Sequence, residues 1–154
     1  MSKIKIYFKS IILPLIVGGV IGILISNFMD YNIIQKPVFS PPAVVFPIVW
    51  TILYILMGIS YGILKSNNLL DLDVKFIYYL QLFLNALWPI LFFIFKWRLF
   101  SFIWIIFLII AVIIMIVKFY SKNKISAFMQ IPYLLWLFFA GYLNLMIYLL
   151  NPIL

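Results

Sequence analysis

Aromatic and amide side chains recur at helical spacing in three apolar stretches of this chain. The first group, spaced i, i+4, i+7 and i+11 and so on one face of a helix, is Trp50, Tyr54, Met57 and Tyr61. Two further faces carry the same kinds of side chain: Gln81, Asn85, Trp88 and Phe92, and then Trp136, Ala140 and Asn144. Flat apolar surface with a few placed polar groups suits a planar, hydrophobic ligand.

The residues that the chain lacks exclude most other chemistry. It contains no cysteine and no histidine, which removes thiolate nucleophiles, the commonest general base and the usual metal and haem ligands. The only acids are Asp30, Asp71 and Asp73, and all three fall in predicted loops. These positions argue against paired-carboxylate hydrolysis and a catalytic triad, and no metal site is expected. An ion-coupled pump would lack the membrane-buried ionisable group that it usually needs.

The depth of these aromatic residues in the membrane distinguishes an interfacial aromatic belt from a position inside the helix bundle. At about 1.5 Å per helical residue, Trp50 lies roughly 12 Å below Pro42, and Trp88 lies roughly 12 Å below Lys96. The interfacial aromatic belt of membrane proteins explains Trp97, which has basic neighbours, but these two are too deep for it. Packing within a helix bundle remains an alternative to a ligand pocket, and interhelical hydrogen bonds would satisfy Asn85 and Asn144.

The elements that must hold these side chains are transmembrane helices. Hydrophobic residues make up 68% of the 154 residues and charged residues only 9%, with a mean hydropathy of +1.27. Clusters of charge divide the chain into five uncharged runs, each long enough to span a bilayer as a helix, and none alternates as a barrel strand would. We therefore predict an all-α, five-helix transmembrane bundle in one domain, 1–154, with approximate spans 8–29, 42–65, 74–95, 99–119 and 125–150.

The charge distribution predicts an orientation. Eight of the eleven basic residues fall at the N-terminus and in the second and fourth loops, against three on the other side. The positive-inside rule then places the N-terminus in the cytoplasm and the C-terminus outside, in a bacterial cell membrane. The basic residues form short clusters beside the membrane, as expected next to anionic lipid, so a nucleic-acid partner is not predicted.

Prolines and glycines suggest how the helices begin and pack. Pro41 and Pro42 fit the first turn of the second helix, where a missing N–H is tolerated. Gly18, Gly22 and Ser26 recur every four residues, and small residues at this spacing let helices approach closely. Packing inside the bundle is the favoured interpretation of that stripe, and a homodimer through another helix remains open.

Three blocks of sequence closely resemble one known family, with all five helices in register. The first reads Tyr31-x-x-Ile34-x-Lys36-Pro37-x-Phe39-x-Pro41-Pro42-x-x-x-Phe46-x-x-Val49-Trp50-x-x-Leu53-Tyr54-x-x-Met57-Gly58. The others run from Gln81 through Asn85 and Trp88 to Phe93, and from Pro132 through Trp136, Ala140 and Asn144 to Asn151. The pattern resembles the tryptophan-rich sensory protein family, whose mitochondrial members are called translocator protein or peripheral-type benzodiazepine receptor.

The resemblance implies a receptor-like protein that binds protoporphyrin and benzodiazepine-type drugs in a bundle cavity under the first loop. It further implies light-dependent oxidative breakdown of the porphyrin, with roles at Trp50 and Trp136. The remaining residues expected to contact the ligand, with the two prolines holding the loop as a lid, are Tyr31, Phe39, Pro41, Pro42, Phe46, Tyr54, Asn85, Trp88, Phe92, Ala140 and Asn144. No cofactor is expected, and a metal-free porphyrin should be preferred over haem because no axial ligand is present.

Two other functions fit the same resemblance. One is a transporter of tetrapyrroles or lipids, and the other is a non-catalytic porphyrin sensor that signals to a partner. The family's steroid binders use a C-terminal Leu/Val-x-Tyr-x-Lys/Arg motif, but no basic residue follows Tyr148 here, which argues against cholesterol. Asp30 replaces a residue that is often aromatic in the family, a change expected to alter how the loop meets an anionic ligand.

Overall fold

A computed structural model describes residues 2–152, and within that range the chain is helical with no strand. The α-helices are α1 (Lys3–Ile25), α2 (Val45–Ser66), α3 (Leu72–Pro89), α4 (Arg98–Lys122), α5 (Lys124–Phe128) and α6 (Ile131–Leu150). A 3-10 turn, Ser26–Phe28, extends α1, and a π-helical turn, Ile90–Ile94, extends α3. The all-α prediction is confirmed.

Five helical segments in the described part of the chain are long and apolar enough to cross a membrane. The fifth consists of the short α5 and the longer α6 together, Lys124–Leu150. In the bundle α1 packs along α2, α3 packs along α4, and α4 also packs along α6, while α5 lies against α2 and α4. The prediction of a five-helix membrane bundle is confirmed.

Glycines on α2 bring α1 very close. A Cβ atom on Gly58 would lie 2.3 Å from Ile11 Cα, and one on Gly62 would lie 2.8 Å from the Tyr7 ring. Gly18 on α1 packs against the Tyr54 ring, as the small-residue stripe predicts. The prediction that the stripe packs inside the bundle is wrong at Gly22, because no heavy atom lies within 4 Å of the place where its Cβ would be. Beyond Gly18 the two helices diverge and leave an open space between them.

The first loop, residues 29–44, does not begin α2 where the sequence predicts. The helix begins at Val45, so Pro41 and Pro42 precede it instead of forming its first turn. A proline disfavours helical backbone at the residue before it, so Pro42 acts against helical structure at Pro41. The Val45 N–H donates to the Pro42 carbonyl at 3.0 Å, and the helix continues from this turn.

A proline also shapes the end of α3 that lies near the first loop. Pro89 has no N–H to donate to the carbonyl four residues earlier, and the helix widens there into the π-helical turn. The Phe95 N–H donates to the Ile90 carbonyl at 3.1 Å. Lys96 then adopts a left-handed conformation, with φ of 56°, and the chain reverses into α4 at Arg98. This reversal places Arg98 beside the first loop.

At the other end of the α3–α4 hairpin, one carboxylate caps the start of α3 and forms an ion pair with the end of α4. The Asp71 carboxylate accepts a hydrogen bond from the Val74 N–H at 2.8 Å and caps α3. Lys122 Nζ lies 2.7 Å from the same carboxylate. The hydrogen bond from Lys122, followed by that from Val74, lowers the pKa of Asp71.

Candidate functional site

A cavity of about 440 Å³ lies between α1, α2 and α3 at their first-loop ends. One wall is formed by glycines and aliphatic residues of α1, which include Gly18, Gly19 and Gly22. The opposite wall is aromatic, because Phe46, Trp50, Tyr54 and Trp88 line it. The cavity is therefore a slot with a low, side-chain-poor wall facing a wall of rings.

A smaller cavity of about 40 Å³ lies beside it, towards α6 and the first loop. Met29, Phe46 and Trp88 line both cavities and form the partition between them. The remaining residues of the smaller cavity are Tyr31, Phe92, Phe93, Ala140, Leu143, Asn144 and Ile147. Most of the residues that the sequence assigned to one pocket are thus divided between two adjoining spaces.

A chain of hydrogen bonds closes the deep end of the larger cavity. The Tyr54 hydroxyl donates to Asn85 Oδ1 at 2.7 Å, and Asn85 Nδ2 donates to the Tyr133 hydroxyl at 2.8 Å. The Tyr133 hydroxyl donates in turn to Gln81 Oε1 at 2.8 Å. These polar groups satisfy one another, as buried polar groups must, so the deep end has little to offer a polar ligand group.

A second polar cluster holds the partition in place. Trp88 Nε1 donates to Asn144 Oδ1 at 2.9 Å, and the Ser101 hydroxyl donates to the same oxygen at 2.9 Å. Asn144 Nδ2 donates to the Arg98 carbonyl at 2.7 Å. Helices α3, α4 and α6 therefore meet at one amide, which fixes the angle of the Trp88 ring between the two cavities.

Trp50 lies directly on the aromatic wall of the larger cavity. Its ring is stacked on Tyr54 with 5.6 Å between centroids, and it meets Tyr133 edge-on at 6.1 Å. Both of these tyrosines belong to the hydrogen-bonded chain at the deep end. The indole is half-buried, and a ligand in the slot would contact it.

Trp136 lies outside both cavities. Its ring meets Phe46 edge-on at 5.9 Å, and Phe46 lines both cavities whereas Trp136 lines neither. Its Nε1 is buried and has no hydrogen-bond partner among the described residues. The two tryptophans that the resemblance pairs in one role occupy different positions, and only Trp50 lines a cavity.

The first loop covers the smaller cavity and is fastened at two points. The Tyr31 hydroxyl donates to the Pro41 carbonyl at 2.7 Å, and its ring packs edge-on against Phe46 at 5.1 Å. At the other point the Asn151 side-chain amide accepts a hydrogen bond from the Gln35 N–H at 3.0 Å and donates to the Gln35 carbonyl at 2.9 Å. Burial raises the pKa of the Tyr31 phenol.

Three of the loop residues expected to contact ligand do not line either cavity. The Phe39 side chain points outwards and is 76% exposed, and Pro42 is exposed as well. Pro41 contributes its carbonyl to Tyr31 and so shapes the loop without reaching the cavity. The sequence motif identifies the residues of the loop, but the turns of the loop backbone decide which side chains face the cavity.

The sequence reasoning missed an ion pair beside the smaller cavity. Arg98 Nη2 donates to Asp30 Oδ2 at 2.5 Å, and Lys96 Nζ lies 3.6 Å from the same oxygen. The Arg98 side chain is wholly buried. A signal was available, because these three residues are predicted to share one side of the membrane, where Asp30 is the only acid.

Five helices long and apolar enough to cross a membrane, with an aromatic slot between three of them, define a small, polytopic membrane protein with a cavity in its helix bundle. Residues 10–150 match the model of the TspO/MBR family. The chain is similar to a tryptophan-rich protein TspO of Archaeoglobus fulgidus, with 45% identity over 122 residues, 79% of each chain. It is also similar to the protein CrtK of Rhodobacter capsulatus, with 33% identity over 88% of this chain and 86% of that one.

The similarity extends to a eukaryotic relative. A translocator protein homolog of Schizosaccharomyces pombe is 30% identical over 152 residues, which cover 96% of this chain and 93% of that protein. With a family match across nearly all of the helical bundle, the chain belongs to the TspO/MBR family. The resemblance read from the sequence is confirmed.

Proposed function

We propose that this protein binds a metal-free tetrapyrrole such as protoporphyrin in the larger cavity and promotes its light-dependent oxidative degradation. The observation that carries this proposal is the position of Trp50 on the wall of an aromatic slot of about 440 Å³. Such a volume lies within the range of small-molecule pockets, which are mostly apolar with few polar groups. A planar macrocycle would stack on the indole and lie against the bare backbone of α1.

The slot suits a flat ligand better than a globular one. Gly19 and Gly22 contribute no side chain to the α1 wall, and nothing lies within 4 Å of where their Cβ atoms would be. On the other wall Trp50 and Trp88 present ring surface. Movement of the Phe46 side chain, which lines both cavities, would join the spaces and admit the full width of a macrocycle.

The proposed chemistry needs no acid, base or metal from the protein. Light excites the bound porphyrin, which takes one electron from the Trp50 indole; this leaves an indole radical cation and a porphyrin radical anion. Dissolved dioxygen adds across a methine C=C bond of the porphyrin radical anion, and the adduct returns the electron to the indole radical cation, which regenerates Trp50. The resulting dioxetane opens with cleavage of that carbon–carbon bond to two carbonyl groups, so both oxygen atoms end in the product. Tyr54, stacked on Trp50, adjoins the oxidised ring. Trp136 is assigned a slower, secondary role because it lines neither cavity.

The experiment follows the absorbance of protoporphyrin mixed with purified protein in detergent, in light and in darkness. Loss of the porphyrin bands in light, with none in darkness, is the expected result. A benzodiazepine-type drug should suppress the loss, because both ligands compete for one apolar cavity. Free porphyrin under the same lamp is the control for bleaching without protein.

The same preparation separates this proposal from its two rivals. A transporter would leave porphyrin intact under light yet carry it across vesicle membranes, and that result would overturn the photochemical proposal. A sensor would bind porphyrin without consuming it or moving it. The described helices carry no charged side chain near mid-membrane, which favours turnover in detergent without any ion gradient.

A further inference from the structure

Arg98 is a buried cation whose hydrogen-bonding capacity is only partly used. Its side chain has no exposed surface, and its guanidinium lies 4.9 Å from the centroid of the Phe92 ring, which lines the smaller cavity. Nη2 binds Asp30, but Nε and Nη1 have no partner among residues 2–152. Buried N–H groups of a charged side chain are costly to leave unpaired.

Asp30 uses only one of its two carboxylate oxygens to bind Arg98. Only its Oδ2 contacts the two cations, while its buried Oδ1 has no partner within the described chain. Carboxylates frequently bind arginine through two parallel hydrogen bonds, and this pair uses one. Arg98 Nε and Nη1 therefore remain as donors for a second oxyanion.

The polar groups around the two cavities differ between the deep end and the first-loop end. At the deep end, the uncharged side chains of Tyr54, Asn85 and Tyr133 are hydrogen-bonded to one another. At the first-loop end, Arg98 and Lys96 oppose the single charge of Asp30. Lys36, over the Tyr31 ring at 4.6 Å, adds a third cation. A ligand with an apolar body and an anionic edge matches this gradient.

We infer that Arg98 receives a carboxylate of the ligand, which replaces Asp30 as the partner of the guanidinium. This inference rests on the proposed function and adds to it the orientation of the macrocycle, with its ring body in the slot and an acidic edge towards the first loop. The Phe92 ring lies against the guanidinium and lines the smaller cavity, so displacement of this ring would open a route from the cavity to Arg98. Released from Arg98, Asp30 keeps Lys96 as its partner.

A lipid phosphate carries similar chemistry and could reach the same face of the membrane. Lipid headgroups contact exposed side chains, such as that of Lys96, which is 46% exposed. The Arg98 guanidinium has no exposed surface, and the ring against which it lies, that of Phe92, lines the smaller cavity. For this reason we assign Arg98 to a carboxylate of the ligand in the cavity.

The test compares protoporphyrin with its neutral dimethyl ester, both titrated into the protein in uncharged detergent and in darkness, with quenching of tryptophan fluorescence as the readout. The wild type should bind the diacid about tenfold more tightly, the factor that corresponds to about 1.4 kcal/mol. Asp30→Asn removes the competing carboxylate and should increase that preference. Asp30→Asn/Arg98→Gln removes both charges together, which avoids leaving one buried and unpaired, and should abolish the preference.

Each alternative outcome is distinct. Equal binding of diacid and ester by the wild type, or a preference that survives in Asp30→Asn/Arg98→Gln, overturns the assignment of Arg98 and leaves porphyrin binding intact. Binding of neither compound overturns the proposed function and this inference with it. Adding phosphatidylglycerol supplies the lipid arm: complete loss of the diacid preference would assign Arg98 to a headgroup phosphate instead.

Discussion

Asn85 shows how one amide can organise a membrane-buried site. It accepts a hydrogen bond from Tyr54 and donates one to Tyr133, so it joins α2, α3 and α6 at a depth where water is scarce. The sequence predicted that Asn85 would need an interhelical partner. It could not identify which one, because Tyr54 and Tyr133 lie 31 and 48 residues away along the chain.

Replacement of Asn85 by Leu tests the contribution of this amide to stability. The Tyr54 hydroxyl would lose its acceptor, whereas Tyr133 would keep Gln81. We expect the free energy of unfolding to fall by about 1 kcal/mol, a typical value for interhelical hydrogen bonds in membranes. Denaturation in detergent measures it. Adding Tyr54→Phe removes the stranded hydroxyl and should recover part of the loss; strictly additive losses would show that the two groups do not interact.

The two tryptophans should differ in photochemistry because only Trp50 lines a cavity. Trp50→Phe keeps a ring for stacking, and stacking contributes about 0.5–1.5 kcal/mol, so porphyrin affinity should change little. The rate of light-driven porphyrin loss should nevertheless fall at least about tenfold, a factor equal to about 1.4 kcal/mol in barrier height. Trp136→Phe is the matched control and should retain most of the rate. Equal losses in both variants would contradict the role assigned to Trp50.

At the scale of helices, the sequence predicted element type and order well and element boundaries less well. Long apolar runs interrupted by charge leave few alternatives to transmembrane helices, because backbone groups in lipid must be satisfied internally. The start of α2 depends instead on how two successive prolines restrict their neighbours, and it lies at Val45. The small-residue stripe of α1 correctly predicted close packing at Gly18 but not at Gly22. Spacing alone does not show where α1 and α2 diverge.

Close packing of α1 on α2 predicts opposite effects for two glycine substitutions. A Cβ on Gly58 would collide with the backbone of Ile11, which cannot move without shifting α1. We expect Gly58→Ala to lower the free energy of unfolding by about 1–3 kcal/mol, as overpacking does. Gly19→Ala faces open space and gains helix propensity, so its stability should be unchanged or higher. The same denaturation assay compares them, and a stable Gly58→Ala protein would refute the close contact.

At the scale of the whole molecule, orientation in the membrane follows from charge and remains a prediction. The chain has no cysteine, so Ser121→Cys creates a unique thiol at an exposed position near the end of α4. The positive-inside rule places it in the cytoplasm. A membrane-impermeant thiol reagent should label it only after the cells are broken open. Labelling of intact cells would reverse the orientation and turn the first loop towards the cytoplasm.

The sequence predicted most of the residues that line the site, but it did not predict that they line two separate cavities. Most of the predicted contacts line one of two neighbouring cavities, because residues on one face of each helix point inwards together. The exceptions are Trp136 and three residues of the first loop, Phe39, Pro41 and Pro42. Their positions depend on side-chain packing and on turns, which helical spacing does not encode. The Asp30–Arg98 pair likewise depends on the reversal at Lys96, a tertiary feature.

The most direct test of the central claim is whether filling the slot prevents porphyrin binding. Gly22→Leu places an aliphatic side chain in open space on the α1 wall, and Leu favours helix more than Gly does, so folding should be preserved. Val20→Leu, on the exposed side of α1, is the matched control. Titration of protoporphyrin against tryptophan fluorescence should show an affinity at least about tenfold lower for Gly22→Leu and a wild-type affinity for Val20→Leu. Wild-type affinity in a folded Gly22→Leu protein would contradict the account, because the ligand would then bind outside this cavity.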